Sequence, residues 1–110
     1  MISNRIVSDA AIEDALNQLA QLDDKEAELK AARDFGETKA KEIFSRKYLD
    51  AVGTIAEREA QARISDEYIE HMDNLRGVIL NHQTLKNRRE RLILLKDVWQ
   101  SEQANMRQRT

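Results

Sequence analysis

A cluster of basic residues lies in the last third of this 110-residue chain. Its members, called here the terminal basic cluster, are Lys86, Arg88, Arg89, Arg91 and Lys96. Arginine guanidinium groups bind phosphate oxygens through paired hydrogen bonds, and several such contacts give a salt-dependent affinity for nucleic acid. At helical spacing these residues surround the helix, so the cluster could meet phosphates on two sides. The alternative is that these side chains are solvated or paired with the acidic first half.

A second basic patch surrounds two aromatic residues. Phe44 and Tyr48 lie one helical turn apart, among the cations Lys41, Arg46 and Lys47. Aromatic rings beside cations suit single-stranded nucleic acid, because unpaired bases stack on the rings while the cations hold the backbone. The alternative is that both rings belong to the hydrophobic core.

Charge is distributed unevenly along the sequence. Residues 1–73 carry 10 basic and 17 acidic groups, whereas residues 74–110 carry 8 and 3, although the net charge is only −2. Such asymmetry is typical of a surface for nucleic acid or for an acidic partner, and it equally suits head-to-tail self-association. The near-neutral total argues against strong nonspecific DNA binding by a monomer.

The patterns of the common catalytic, metal and nucleotide sites do not occur. His71 and His82 are separated by about 16 Å along a helix, too far to share a metal ion. The three glycines are isolated, so there is no glycine-rich phosphate loop. No serine stands with His and Asp in a recognisable nucleophile motif. We therefore expect neither an enzyme nor a bound metal or cofactor.

Composition predicts the compartment and the fold class. There is no cysteine, which agrees with a reducing environment, and no apolar run approaches the roughly 18 residues that span a bilayer. A cytoplasmic protein without a membrane segment is expected. Because the chain has no proline and is 35% charged, we predict an all-α fold with a small core. The expected form is an elongated, coiled-coil-like helical hairpin that oligomerises, with one domain over residues 1–110.

Capping signals place the predicted helices. A short amphipathic arm occupies about 8–22, a second helix runs over about 24–50 with Phe35, Ile43 and Phe44 on its apolar stripe, and a turn follows at 52–54. Gly36 inside the second helix indicates a bend or the close approach of another helix. Helices over about 54–64 and 65–106 complete the chain, and Ser65 either starts a helix or is passed through.

An apolar segment directly follows the terminal basic cluster. Leu92, Ile93, Leu95 and Trp99 give it apolar groups on several sides, and a helix that is apolar all round must be buried. We expect this segment to be covered by the N-terminal arm and by neighbouring subunits. The sequence therefore predicts a homo-oligomer.

Three sequence strings carry a family resemblance. They are GTIAEREAQA at 53–62, LKNRRER at 85–91 and VWQSEQANMR at 98–107. With these strings the chain resembles a family of short helical proteins from tailed phages and prophages. Its size, helix order and basic, apolar last helix are also similar to the UvsY-type recombination mediators of T-even phages.

The mediator resemblance implies a recombination or replication accessory protein. Such a protein is an oligomer that binds single-stranded DNA, displaces single-strand-binding protein and helps to load a recombinase. The two basic patches would then hold phosphates, and the apolar segment would hold the assembly together. Two alternatives stay open: a non-enzymatic helical adaptor or structural protein of a phage, and an inhibitor whose acidic face mimics nucleic acid.

Overall fold

Three α-helices make up the computed structural model, which describes residues 7–108. They are α1 (Asp9–Asp50), α2 (Ile55–Ile64) and α3 (Asp66–Gln108). The described residues include no β-strand. The all-α prediction is therefore confirmed. Without proline to remove backbone donors, α1 continues for 42 residues and α3 for 43.

The helix starts at Ser8 and Thr54 follow from side-chain caps. Ser8 Oγ accepts a hydrogen bond from the Ala11 amide at 3.1 Å, and Thr54 Oγ1 accepts one from the Glu57 amide at 3.2 Å. Each bond satisfies an amide that the first helical turn leaves unpaired. Gly53 lies just before α2 and has a φ of 121°, a backbone conformation that residues with a side chain rarely adopt.

Ser65 separates α2 from α3, which decides between the two alternatives for this position. Its backbone is extended, with φ −62° and ψ 141°, and its hydroxyl donates to the Ala62 carbonyl at 2.8 Å. The Ser65 carbonyl then accepts from the Ile69 amide at 3.0 Å and opens α3. A new helix thus begins directly after Ser65.

The predicted interruption at Leu22–Asp24 is wrong. Helix α1 passes through these residues without a break, so the predicted arm over 8–22 is simply its first half. Asp23 does not cap a new helix, because its carboxylate, like that of Glu26, pairs with Arg89. These two carboxylates therefore bind a distant arginine instead of the nearby backbone amides that the capping pattern predicted.

The described residues fall into two compact units. The terminal unit joins residues 7–26 to residues 84–108, and the turn unit comprises residues 27–83. Each is an antiparallel packing of helical segments with its own small core. The core side chains are Val7, Ile12, Ala15 and Leu85 in the terminal unit, and Ala40, Ile43, Ala62 and Leu75 in the turn unit.

Gly36 lies at a close approach of α1 and α3 in the turn unit. A Cβ atom added there would lie 2.6 Å from Leu75 Cδ1, and His71 Nε2 lies 2.8 Å from the Gly36 carbonyl oxygen. The predicted close approach of another helix is confirmed. Phe35, predicted on the buried stripe, is instead 72% exposed, because the buried positions Gly36, Ala40 and Ile43 define a face beside it.

Candidate nucleic-acid interface

Arg89, in the middle of the terminal basic cluster, pairs within its own chain. Its guanidinium contacts Asp23 at 2.9 Å and also contacts Glu26. The hydrogen bond to Glu26 holds the pKa of Arg89 above its ordinary value. A phosphate would have to displace both carboxylates to reach this side chain, so Arg89 is a poor candidate for nucleic-acid binding.

The other members of the cluster differ in whether they pair with side chains of their own chain. Arg88 donates to the Gln18 side-chain oxygen at 2.7 Å, a neutral partner. Lys86, Arg91 and Lys96 have no ion pair with any residue of the described range 7–108. Arg91 is exposed, whereas Lys86 and Lys96 are half-buried. The cluster therefore offers fewer free cations than its sequence suggests.

The terminal unit brings together segments of opposite charge. Residues 7–26 carry one basic and six acidic groups, and residues 84–108 carry six basic and three acidic groups. The two described segments thus hold net charges of −5 and +3, and they pack in one unit. Opposite charges on paired segments favour their association and lower the cationic potential that a nucleic acid would meet.

Arg46 and Lys47 of the second basic patch share one carboxylate. Arg46 donates to Glu67 at 2.6 Å, and the Lys47 ammonium lies 3.3 Å from the other carboxylate oxygen. The hydrogen bond from Arg46 holds the pKa of Glu67 below its usual range, with Lys47 acting in the same direction. The same bond raises the pKa of Arg46. Two cations thus share one carboxylate at this exposed edge, and the charges of Glu42 and Asp50 also act on Arg46.

Phe44 packs against Tyr68 of α3. The two ring centroids are 5.8 Å apart with an interplanar angle of 63°, an edge-to-face contact. The Arg63 guanidinium lies 5.9 Å from the Phe44 centroid, and Arg58 lies 6.0 Å from that of Tyr48. Both distances are within the range of cation–π attraction.

A cavity of about 370 Å³ opens beside the Phe44–Tyr68 pair. It is lined by Ala40, Lys41, Phe44, Ser45 and Tyr68. Lys41 is exposed and forms no ion pair with a described residue. We call Lys41, Phe44, Arg63 and Tyr68 the aromatic–basic surface. It combines half-buried rings with cations from α1 and α2, as binding of unpaired bases requires.

Two residues of this surface escaped prediction from the sequence. Neither Tyr68 nor Arg63 is among the residues that the sequence predicts for binding. Their place beside the basic patch follows from how the helices pair in the hairpin. Once α2 and α3 return along α1 after the turn, residues near 63–68 come back beside residues 41–47.

The apolar segment predicted as an oligomer interface is only partly covered. Leu92, Leu95 and Trp99 are half-buried, and Ile93 is 37% exposed. Trp99 Nε1 donates to the Asp9 carboxylate at 3.2 Å, so the N-terminal end of α1 supplies part of the cover, as predicted. Leu94, in the same segment, is 63% exposed. The part played by neighbouring subunits stays a prediction.

The two histidines lie in different surroundings. His71 makes the contact with Gly36 described above, whereas His82 is 5% exposed and neither of its ring nitrogens has a hydrogen-bond partner among the described residues. Within residues 7–108 no group of three or more His, Asp or Glu side chains is arranged to hold a metal ion.

Comparison with protein-family models, with curated proteins and with solved structures finds no match for this chain. None of the helices in the described range combines the length and apolarity needed to cross a bilayer.

Proposed function

We propose that this protein is a non-enzymatic accessory factor of phage recombination or replication that binds single-stranded DNA in the host cytoplasm. The supporting observation is the cavity bounded by Phe44 and Tyr68 with the unpaired Lys41 at its edge. Its volume of about 370 Å³ falls in the roughly 300–1,000 Å³ range of ligand pockets. An unpaired base would contact the rings while Lys41 binds a neighbouring phosphate.

Arg46 and Lys47 extend this surface along the strand. Both side chains contact Glu67 from an exposed edge, so a phosphate can compete for them without entering a dry core. The terminal basic cluster plays a secondary part, through Arg88, Lys86, Arg91 and Lys96, because Arg89 is held by two carboxylates. The binding surface is thus centred on the turn unit rather than on the last third of the chain.

Binding by one chain is expected to be weak. The chain has a net charge of −2, and among the described residues Lys41 is the one cation that lines the cavity. A homo-oligomer would present several such surfaces at high effective concentration and so convert weak contacts into useful affinity. A recombinase or a single-strand-binding protein would be the protein partner of the assembly.

Two lysine variants on the same helix test the electrostatic part of this proposal. Lys41 borders the cavity, whereas Lys30 is an exposed lysine about 16 Å earlier on α1. We expect Lys41→Ala to reduce the slope of log affinity against log salt by about 0.7, the value for one lost single-strand phosphate contact. Lys30→Ala removes the same charge from the chain and should leave the slope unchanged.

The assay is fluorescence anisotropy of a labelled single-stranded oligonucleotide, titrated with each variant at several salt concentrations. Equal slopes for Lys41→Ala and Lys30→Ala would show that net charge, and not this surface, controls binding. Absence of binding by the wild-type chain at low salt would remove the proposal altogether.

Exposed apolar residues near the α1–α2 turn favour a second candidate, a helical adaptor. Leu49, Val52 and Ile55 are 77%, 76% and 68% exposed within seven residues of chain. Concentrated exposed apolar surface is typical of protein-interaction sites. If the adaptor proposal is right, Leu49→Ser/Val52→Ser abolishes co-purification with a phage protein from infected cells, and Lys41→Ala does not. Unchanged co-purification of Leu49→Ser/Val52→Ser would contradict the adaptor proposal.

A further inference from the structure

The outward side of α3 in the turn unit carries a short stripe of four exposed side chains. Ile69, Asp73, Arg76 and Leu80 follow one another at spacings of four, three and four residues. This spacing places them on one face of the helix. The two apolar side chains are 46% and 65% exposed, and those of Asp73 and Arg76 are 63% and 80% exposed.

The chain makes little use of this stripe for its own fold. Leu75, between Asp73 and Arg76 in sequence, turns the other way into the core and is 4% exposed. Asp73 and Arg76 form an ion pair at 3.4 Å along the helix surface. Such an exposed pair is weak because water competes for both ions. Both charges are therefore available for another partner.

The order of residue types along the stripe is apolar, acidic, basic, apolar, which is palindromic in the sense used for DNA: on reversal each charge lies opposite its complement. When two copies of α3 pack antiparallel about a two-fold axis level with residues 74 and 75, each contact is repeated by symmetry. Ile69 then lies opposite the Leu80 position of the second copy, and Asp73 lies opposite its Arg76 position. Both apolar pairs and both charge pairs are satisfied at once.

We propose that this palindromic stripe is a homodimer contact, whose occupant is the same stripe of a second copy of this chain. The argument is its charge self-complementarity. A partner of uniform charge would leave either Asp73 or Arg76 facing a like charge, whereas a second copy matches both. With two apolar residues per chain the interface is small, so the dissociation constant should be on the order of 10–100 µM.

Charge reversal tests this contact without altering the core. Asp73→Arg gives a stripe with two basic residues, and Arg76→Asp gives one with two acidic residues. Each single variant should dimerise at least about tenfold more weakly than wild type, because like charges then face each other across the axis. The swapped double variant Asp73→Arg/Arg76→Asp restores the complementarity and should dimerise like wild type. An equimolar mixture of the two single variants should form heterodimers.

Sedimentation velocity over a concentration series, without nucleic acid, measures these equilibria directly. Circular dichroism confirms that each variant keeps its helices, and Leu80→Ser provides an apolar variant that should also weaken the dimer. The inference is overturned if the wild-type chain stays monomeric at several hundred micromolar, about ten times the expected constant. It is equally overturned if the single variants associate as well as wild type, or if neither the swap nor the mixture restores association.

Discussion

Two glycines inside helices are predicted to respond in opposite ways to the same substitution. At Gly36 a new Cβ would lie 2.6 Å from Leu75 Cδ1, well short of the ordinary contact distance of about 3.5–4.0 Å. Leu75 is 4% exposed, so its methyl group cannot move into solvent. Overpacking of a core destabilises a fold by about 1–3 kcal/mol. The higher helix propensity of alanine over glycine stabilises the helix by about 1 kcal/mol. Gly36→Ala should therefore destabilise the fold by about 1 kcal/mol.

Gly77 provides the matched control, because a Cβ there meets nothing within 4 Å. Gly77→Ala gains the helix propensity alone and should stabilise the fold by about 1 kcal/mol. Urea unfolding of both variants, followed by far-ultraviolet circular dichroism, gives the two free energies. In a Leu75→Ala background the clash is absent, so Gly36→Ala should become stabilising. The reasoning is refuted if Gly36→Ala stabilises the wild-type chain as much as Gly77→Ala does.

Three further predictions concern polar side chains. His82→Leu should raise the free energy of unfolding by about 1–2 kcal/mol, because it removes two buried ring nitrogens that lack hydrogen-bond partners among the described residues; urea unfolding measures this. The pKa of Glu67 is lowered by Arg46, so the stability that this pair contributes is present above the ordinary carboxyl pKa of 4.5 and lost as the pH falls below it. Thermal unfolding should thus be less sensitive to acid in Glu67→Gln than in wild type, and equal sensitivity would contradict the pairing. Arg89→Gln should lower the urea midpoint, whereas Arg91→Gln, which removes an exposed arginine without an ion pair to any described residue, should not.

The helix boundaries follow from local chemistry, and the sequence predicts most of them. Thr54 and Glu57 form their cap within one turn, and Gly53 ends the preceding segment, so no distant residue is needed to place α2. At Asp23 the same local rule fails. Asp23 and Glu26 have the spacing of a capping box, but Arg89, more than sixty residues away, binds both carboxylates.

The candidate site was harder to predict for a similar reason. The types of Lys41 and Phe44 suggested nucleic acid, but their neighbours depend on how the hairpin pairs α1 with the returning helices. Tyr68 of the facing helix α3 meets Phe44, with ring centroids 5.8 Å apart, and such a contact across the hairpin leaves no signal in the local spacing. Likewise, spacing alone could not show that Arg89 of the terminal basic cluster pairs with Asp23 and Glu26 of its own chain.

The most direct test of DNA binding by this surface compares two substitutions of Tyr68. Tyr68→Phe keeps the ring that lines the cavity, and Tyr68→Leu removes it while keeping an apolar side chain. Loss of one base–aromatic contact costs about 1–3 kcal/mol. In oligonucleotide anisotropy titrations Tyr68→Leu should bind at least about fivefold more weakly than wild type, and Tyr68→Phe should bind equally well. If both variants bind single-stranded DNA as wild type does, the aromatic–basic surface is not the binding site.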